Sequence, residues 1–424
     1  MSDKADLPDL LYSDTERALA ESLRSLLADR GSLDKVLART ESAETYDDGL
    51  WQAVAGDLGC AGLLIPERDG GAGASFREAC SAAETLGSAV APVPFLGSSV
   101  VATAALLSVA SGIPGEAATG VPRGAASGAP HGAAVSSGTP FTPARAAAGL
   151  LRRMADGGVT VALAVAFATT PGGAFPVSVR VAGLRPGDAQ TGVARLRGTV
   201  SGVADALPAS VLLVPADGVP TAVYLVDMSA PGVAKAPVVS LDMTRQLCDL
   251  SFDDAPGTLI ASGVAASEAL DAALTAGAAA LAAEQVGLAQ HCLDLTLAYV
   301  KERRQFARPV GSFQALKHRL ADVWVAVSQA RAASRYAAAC LASAPLDPLG
   351  HPDAKVAVAI AKAYCSEAAV LAAQECVQLH GGIGFTWEHP AHLYLKRAKA
   401  DSIGFGTPDA HRAALASLVN LPAP

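Results

Sequence analysis

The spacing of apolar residues predicts helices over roughly the first 110 residues. A leucine stripe follows the candidate N-cap Ser13 and recurs at helical intervals, at positions 19, 23, 26 and 27. Further helical patterns cover residues 51–64, 75–87 and 97–109. A turn cluster at residues 66–73, rich in glycine and opened by a proline, ends the first of these three.

Between residues 158 and 260 the pattern changes to that of short strands. Apolar or alternating stretches cover residues 159–168, 177–181, 211–215 and 223–226, and Gly, Pro and Asp punctuate them. Short strands with frequent turn residues predict a compact β-barrel or β-sandwich.

Helical periodicity then returns until the end of the chain. One long helix is expected over residues 267–306 with an interruption near Gly287, a second over 314–341, and a third from Pro352 onward. Helices, then strands, then helices predict an α+β fold with segregated elements. The expected domains are an N-terminal helical domain (1–111), a middle β-domain (148–260) and a C-terminal helical bundle (261–424).

The segment of residues 112–147 has a composition unlike the rest of the chain. Ala, Gly, Pro and Ser dominate it, and large apolar side chains are nearly absent. Such a segment buries too little surface to offset the entropy of ordering it. We therefore expect a flexible insertion or linker here.

Composition and charge narrow the class of protein. Of 424 residues, 51% are apolar and 17% are charged, which suggests a large subunit interface. The net charge of −8 argues against non-specific binding of nucleic acid. The most apolar stretch, residues 269–290, is interrupted by Asp271 and Glu284, so no membrane span is expected. The N-terminus lacks the apolar core of a signal peptide.

Cysteine and histidine usage points to a reduced, cytoplasmic chain. The seven cysteines are scattered, odd in number and form no C-x-x-C pair. His389 and His392 flank Pro390 beside Glu388, a poor arrangement for metal ligation, so no metal site is expected.

A glycine-rich turn near the C-terminus carries the main candidate for chemistry. Residues 378–390 read Gln-Leu-His-Gly-Gly-Ile-Gly-Phe-Thr-Trp-Glu-His-Pro, so Glu388 stands among apolar and aromatic residues. A carboxylate shielded from water holds a proton more tightly, which suits a general base. The alternative is a structural carboxylate at the start of the helix after Pro390.

A second block of basic and amide side chains lies upstream. Residues 299–314 contain Arg303, Gln305, Phe306 and Gln314, with Pro309 ending the preceding helix. A guanidinium and amides at a helix end could hold a phosphate-bearing ligand. The alternatives are an arginine paired with Glu302 or Glu284 and a phenylalanine that only packs in the core.

Together the two blocks resemble the acyl-CoA dehydrogenase family. Its hallmarks are Arg-x-Gln-Phe-Gly-x-Pro-x-x-x-x-Gln followed by Gln-x-x-Gly-Gly-x-Gly-Phe-x-x-Glu-x-Pro, and both stand here in that order. The order of domains also matches, and the likeness extends to a divergent actinobacterial branch, active in fatty acid or steroid catabolism, that is often heteromeric. It covers most of the chain outside residues 112–147.

The resemblance implies a mechanism and a cofactor. A carboxylate, here Glu388, would remove the α-proton of an acyl-CoA thioester, and FAD would accept the β-hydride to give a trans-2-enoyl-CoA. Arg303 matches the arginine that reaches the diphosphate of an FAD bound mainly by a neighbouring subunit. The other matching cofactor positions are Gln305, Phe306, Gln314, Gln378, Gly381, Gly382 and Thr407.

The resemblance also implies partners. These are an acyl-CoA or acyl-carrier thioester, electron-transfer flavoprotein as the acceptor, and a homo- or heterotetramer with a related chain. No nucleic acid or membrane partner is implied.

Several departures from the family pattern keep other functions open. Ala307 stands where glycine is usual, and residues 404–407 read Gly-Phe-Gly-Thr where many members have Tyr-Glu-Gly-Thr. Residues 169–175 are an eroded form of the flavin-holding Thr-Glu-Pro-x-x-Gly-Ser segment, and no tryptophan lies between Trp51 and Trp324. The alternatives are a non-catalytic or half-site subunit of a heteromer, and a monooxygenase or dehydratase with this fold.

Overall fold

The helices of the first hundred residues pack as one unit in the computed structural model, which describes residues 8–42, 46–111, 142–183, 192–343 and 351–421. Two π-helical turns, Ala53–Asp57 and Phe95–Ala102, stand among its five α-helices. The α-helices are α1 (Asp14–Arg30), α2 (Leu33–Thr40), α3 (Asp48–Gln52), α4 (Phe76–Ser88) and α5 (Thr103–Ser111). Ser13 caps α1 as expected, in a reciprocal capping box with Glu16.

The last residues of the segment expected to be flexible are helical. Residues 112–141 lie outside the described residues, but helix α6 (Pro143–Met154) begins inside the expected range. Thr142 caps this helix, proline occupies its first position, and the buried residues Ala147, Leu150 and Met154 fix it to the core. The prediction of flexibility up to residue 147 is therefore wrong for its last residues.

The middle domain is one mixed sheet of seven strands among the described residues, in the order β1-β4-β5-β7-β3-β2, with β6 also pairing with β7. The strands are β1 (Val161–Leu163), β2 (Val179–Gly183), β3 (Val193–Ala204), β4 (Val211–Ala216), β5 (Ala222–Asp227), β6 (Val233–Val238) and β7 (Leu247–Ser262). Among the described strands, β1 and β4 pair in parallel and the other five strand pairs are antiparallel.

The expected barrel or sandwich is thus corrected to an open sheet. Closure would require the terminal strands β1 and β2 to pair, and the described residues contain no such pairing. An isolated bridge between Arg180 and Asp217 joins β2 to the residue after β4, with backbone hydrogen bonds from Asp217 to Val179 at 2.7 Å and from Val181 to Asp217 at 3.1 Å.

The C-terminal part contains three long and two short helices among its described residues. They are α7 (Val264–Glu302), α8 (Gln314–Ala342), α9 (Ala354–His380), α10 (Ala391–Asp401) and α11 (Pro408–Leu418). The expected interruption of α7 is absent. Gly287 instead lets α7 pack tightly on α4, because an added Cβ would overlap the backbone oxygen of Glu84.

Helix α7 lies in the core, and its many small alanine side chains let neighbouring helices pack close to it. Two helical stretches, Val264–Glu302 and Ala354–Phe385, are long and apolar enough to cross a membrane, but their most apolar windows are 100% and 67% buried within the protein. They pack here as core helices. All seven cysteines are buried and free. Helices, a sheet and helices in succession confirm the predicted α+β class.

Candidate functional site

The first predicted cofactor segment forms an exposed hairpin at the end of α7. Arg303 follows the helix directly, and strands β8 (Arg304–Gln305) and β9 (Arg308–Pro309) flank a tight turn. Phe306 and Ala307 make that turn with φ of 54° and 62°, the left-handed region that glycine usually fills. The Phe306 ring is 86% exposed, so it is not a core residue.

The Arg303 side chain is free to bind a ligand. It is exposed, and its guanidinium makes no hydrogen bond or ion pair to the described residues. The alternative partner Glu284 is already bound by Arg245 and Arg397. Gln305 and Gln314 are exposed beside it. The hairpin therefore presents a guanidinium, two amides and an aromatic ring outward.

The second predicted segment is the turn that follows α9. Gly381 has a φ of 64°, and a Cβ added at Gly381 or Gly382 would meet no atom within 4 Å. Gln378 is exposed on the last turn of the helix. Open space in front of two glycines lets a ligand approach the backbone closely.

The two segments meet at one end of the helical bundle. The Tyr299 ring, in the last turn of α7, lies 4.5 Å from the ring of His380, the last residue of α9. The His389 ring lies 4.3 Å from the other side of His380, which brings the turn that carries Glu388 to the same place. Seven of the eight predicted cofactor residues thus lie at the same end of the helical bundle.

Thr407 is the exception. It caps α11, where its hydroxyl oxygen accepts a hydrogen bond from the backbone of Ala410 at 3.2 Å. The adjacent Gly406 carbonyl accepts from Lys362, which lies about five helical turns, or roughly 27 Å, before the end of α9. Within one chain, Thr407 does not reach the surface formed by the other seven residues.

Glu388 is exposed, contrary to the sheltered position expected from its neighbours. Phe385 and Trp387 are themselves 76% and 65% exposed, so they do not form a dry pocket around the carboxylate. The physical reason is that the turn projects beyond the end of α9, where the Trp387 ring contacts Lys396 at 4.0 Å and the His392 ring at 4.8 Å between ring centres. Among the residues that the structure describes, none shields Glu388 from water.

Sequence reasoning missed a cluster of buried charges where the three parts of the molecule meet. Glu284, in the middle of α7, receives guanidinium groups from Arg245 and Arg397, each with a shortest distance of 2.6 Å. Burial alone would raise the pKa of Glu284, but the two guanidiniums hold it at about 2. Two features of the sequence indicate this cluster. Arg397 and Asp401 stand at i and i+4 on one helix, and Glu284 interrupts an otherwise apolar helix.

Further carboxylates surround the same guanidiniums. Asp205 lies 3.7 Å from Arg245 and also accepts hydrogen bonds from Tyr46 and from the backbone of Gly97. Asp401 contacts Arg245 and Arg397 at 3.7 and 3.5 Å. Burial and the neighbouring Glu284 raise the pKa of Asp401 well above its ordinary value.

The junction beside this cluster has almost no free space. The Phe405 ring is buried and packs edge-on against Phe167, with 5.4 Å between ring centres. A cavity of about 20 Å³ next to them has room for about one water. The cavity beside these two rings therefore cannot admit a ring system or an acyl group without rearrangement.

Family models match both helical parts of the chain. The acyl-CoA dehydrogenase N-terminal domain matches residues 13–111, and the C-terminal domain matches residues 267–419. Acyl-CoA dehydrogenase IpdE2 of Mycolicibacterium smegmatis is 32% identical over 398 residues, 93% of this chain and 96% of that protein. Acyl-CoA dehydrogenase FadE34 of Mycobacterium tuberculosis is 33% identical over 80% of this chain and 38% of its own length.

Solved structures agree on the fold. The Tcur3481-Tcur3483 steroid ACAD G363A variant is 28% identical, with a TM-score of 0.75 over 96% of this chain and 98% of the other. The ChsE4-ChsE5 complex of Mycobacterium tuberculosis is 24% identical, with a TM-score of 0.78 over 98% and 100% of the two chains.

Proposed function

This chain belongs to the acyl-CoA dehydrogenase family, and we propose that it takes part in the α,β-dehydrogenation of an acyl-CoA thioester as one subunit of a heteromeric complex. One observation carries the proposal. The flavin-motif residues face outward at one end of the bundle, whereas the junction inside the chain is filled by charged groups and Phe405. A flavin held by these residues would lie between this chain and a partner.

The outward surface fits the phosphate-bearing half of FAD. Arg303 would bind the diphosphate, since a guanidinium suits two anionic groups. Gln305, Phe306 and Gln314 would frame the adenosine and ribityl portions. Gln378, Gly381 and Gly382 would pass under the diphosphate. Thr407 is too far away to contact the same cofactor, so it would act only on the cofactor of a second copy or on a different cofactor. When bound, the flavin supplies the acceptor for the β-hydride.

Glu388 is the proposed base for the α-proton. The proposal rests on its match to the family segment and on its place beside the flavin surface, next to His389. Because the carboxylate is exposed in the single chain, a partner surface must cover it before it can work in a water-poor site.

A second candidate is a half-site subunit that completes the partner's flavin site and performs no proton transfer. Two observations favour it. Glu388 is exposed, and Phe405 occupies a position where many family members carry glutamate. In this case the base would come from the partner.

The proposed partner is a related chain of the same family, because two similar structures are of paired chains. A steroid-derived acyl group is the proposed substrate, supported by the steroid acyl-CoA dehydrogenase that is 28% identical. We further propose electron-transfer flavoprotein as acceptor and a cytoplasmic location.

The visible spectrum of the purified protein tests the complex. The chain should be colourless when expressed alone and yellow when co-expressed with a related family member encoded beside it. An acyl-CoA should then bleach the flavin absorbance. A yellow, acyl-CoA-reducible protein from this chain alone would contradict the heteromer.

Glu388→Gln in the co-expressed complex decides between the two candidates. If Glu388 is the base, the rate of flavin reduction should fall at least about 100-fold, because general-base catalysis contributes about 10²–10⁴-fold. The matched control is Glu302→Gln, another exposed carboxylate at the same end of the bundle. Full activity of Glu388→Gln would remove this residue from the mechanism and leave the half-site role.

A further inference from the structure

A cavity of about 600 Å³ opens where α1, α4, α7 and α8 meet. Its walls include Arg17 and Arg24 of α1, His291 of α7 and Arg331 of α8, and none of the residues proposed above for flavin binding or catalysis. Small-molecule sites commonly have volumes of about 300–1,000 Å³. The cavity is therefore large enough for a small metabolite.

The hydroxyl groups in this cavity can only accept further hydrogen bonds. Ser81, Thr85 and Ser88 donate to backbone oxygens at 3.3, 3.0 and 2.7 Å. Each hydroxyl has then used its one proton.

The carboxylates are already engaged by the chain itself. Glu84 accepts hydrogen bonds from Tyr12 and from Arg331, the latter at 3.3 Å. Asp294 accepts from Gln290 at 2.9 Å. Neither carboxylate forms an ion pair with Arg17 or Arg24 among the described residues.

Arg17 and Arg24 have guanidinium N–H groups that remain available to donate hydrogen bonds to a ligand. Arg24 has no hydrogen bond or ion pair to the described residues, and Arg17 pairs only with the exposed Asp14, at 2.9 Å. The two arginines are seven residues apart, so they lie on one face of α1 about 10 Å from each other.

The His291 ring adds a second unsatisfied group. It stacks on Tyr394 with 4.5 Å between ring centres, and its Nε2 is buried without a hydrogen-bond partner among the described residues. Burial lowers the pKa of His291, which favours the neutral ring. A buried polar atom without a partner calls for a ligand or a water.

We propose that this cavity binds a small organic anion, a carboxylate or a phosphate ester, whose acidic group contacts Arg24 and Arg17. The planar guanidinium donates paired hydrogen bonds to such oxyanions. The body of the ligand lies against the small residues Ala20 and Gly287 and offers hydrogen bonds to the hydroxyls of α4.

Calorimetric titration of the full-length protein, in the complex in which it purifies, tests the proposal. The probes are phenyl phosphate and benzoate. At least one should bind saturably with a Kd below about 1 mM, or about −4 kcal/mol. Binding of one probe alone identifies which acid the site takes. Absence of saturable binding for both overturns the proposal.

Variants of α1 locate the binding. Arg24→Ala should weaken it at least about tenfold, about 1.4 kcal/mol, and Arg24→Lys should recover part of the loss. The control is Arg30→Ala, an exposed arginine of the same helix that contacts Asp57 at 3.9 Å outside the cavity. Equal affinity in wild type and Arg24→Ala overturns the proposal, as does an equal loss in both alanine variants. Neither readout depends on flavin or turnover.

Discussion

Glu284 is a buried residue whose ion pairs fill the interior junction of the chain. Its carboxylate is the shared partner of Arg245 and Arg397, and all three side chains are nearly inaccessible to solvent. Each guanidinium depends on this carboxylate for its shortest ion pair. Removing the charge would leave two buried cations with only the more distant carboxylates of Asp205, Asp242 and Asp401, at 3.5–3.7 Å.

Glu284→Gln should therefore destabilise the protein strongly. Breaking a buried ion pair by removing one partner costs about 3–5 kcal/mol, and we expect about 3 kcal/mol because glutamine still accepts a hydrogen bond. Urea denaturation measures the free energy of unfolding of this variant and of its control. The control Glu268→Gln, an exposed glutamate of the same helix, should stay within about 0.5 kcal/mol of wild type. Equal stability of the two variants would show that the cluster contributes nothing.

Glu16 makes the free energy of unfolding depend on pH in the acidic range. Burial alone would raise the pKa of Glu16, but hydrogen bonds from Arg77, the backbone of Ser13 and Arg335 lower it to about 2 from 4.5. The folded-state pKa is depressed, so the contribution is complete above about pH 4.5 and is lost as pH falls toward 2.

The wild type should lose on the order of 2 kcal/mol more than Glu16→Gln between pH 5 and pH 2, after allowance for partial solvent screening. Denaturant midpoints measured at several pH values give the comparison. Parallel pH profiles for the two proteins would mean that the Glu16 carboxylate is not paired in the folded state.

Sequence alone identified the candidate residues at the surface and missed the buried charge cluster of the interior. Arg303 and Gln378 were recognisable because their motifs are local, a few residues long, and independent of tertiary structure. Arg245 was not, because its partners Glu284 and Asp205 are 39 and 40 residues away along the chain. Only the packing of sheet against helices brings them together.

Among the elements, α7 and α4 make the tightest helix contact that depends on glycine. Gly287 of α7 faces the backbone of Glu84, and Gly87 of α4 faces the backbone of Glu284. The sequence predicted a break at Gly287 because glycine weakens an isolated helix. Packing against α4 outweighs that propensity, so the glycine fits the interface and α7 continues to Glu302.

Gly287→Ala should therefore destabilise the protein although alanine favours helices. The added methyl would overlap the Glu84 carbonyl, and relieving such an overlap costs typically about 1–3 kcal/mol. The matched control is Gly149→Ala in α6, where nothing lies within 4 Å of the added Cβ. That control should gain about 0.5–1 kcal/mol, because alanine costs less backbone entropy than glycine. A gain at both positions would show that α4 and α7 are not in contact.

For the whole molecule, sequence periodicity identified three parts but not the topology of the middle one. The strand pattern predicted β1, β2, β4 and β5, whereas β3, β6 and β7 were not assigned. Without β7, which pairs with β3, β5 and β6, the sheet order could not be derived. A sheet with one parallel edge strand differs from a barrel only in long-range pairing, which local alternation does not encode.

At the scale of the whole molecule, the proposed cofactor surface is one-sided. The hairpin and the glycine turn form one outward surface, so a bound FAD would contact this chain on one side only. Arg303→Ala should then release flavin from the complex and weaken subunit association. The rate at which the remaining bound flavin is reduced should change less. The expected change is at least about tenfold in the FAD dissociation constant, since a charge-assisted hydrogen bond contributes about 1.5–3 kcal/mol.

Ultrafiltration of the co-expressed complex at low FAD concentration, followed by absorbance, measures retention, and sedimentation velocity reports association. Arg180→Ala serves as the control, because Arg180 is an exposed arginine of strand β2, in the middle domain. Flavin retention in Arg303→Ala equal to that in Arg180→Ala would show that the hairpin faces solvent in the complex. The cofactor would then have to be bound elsewhere, and the interface placed at this end of the bundle would be wrong.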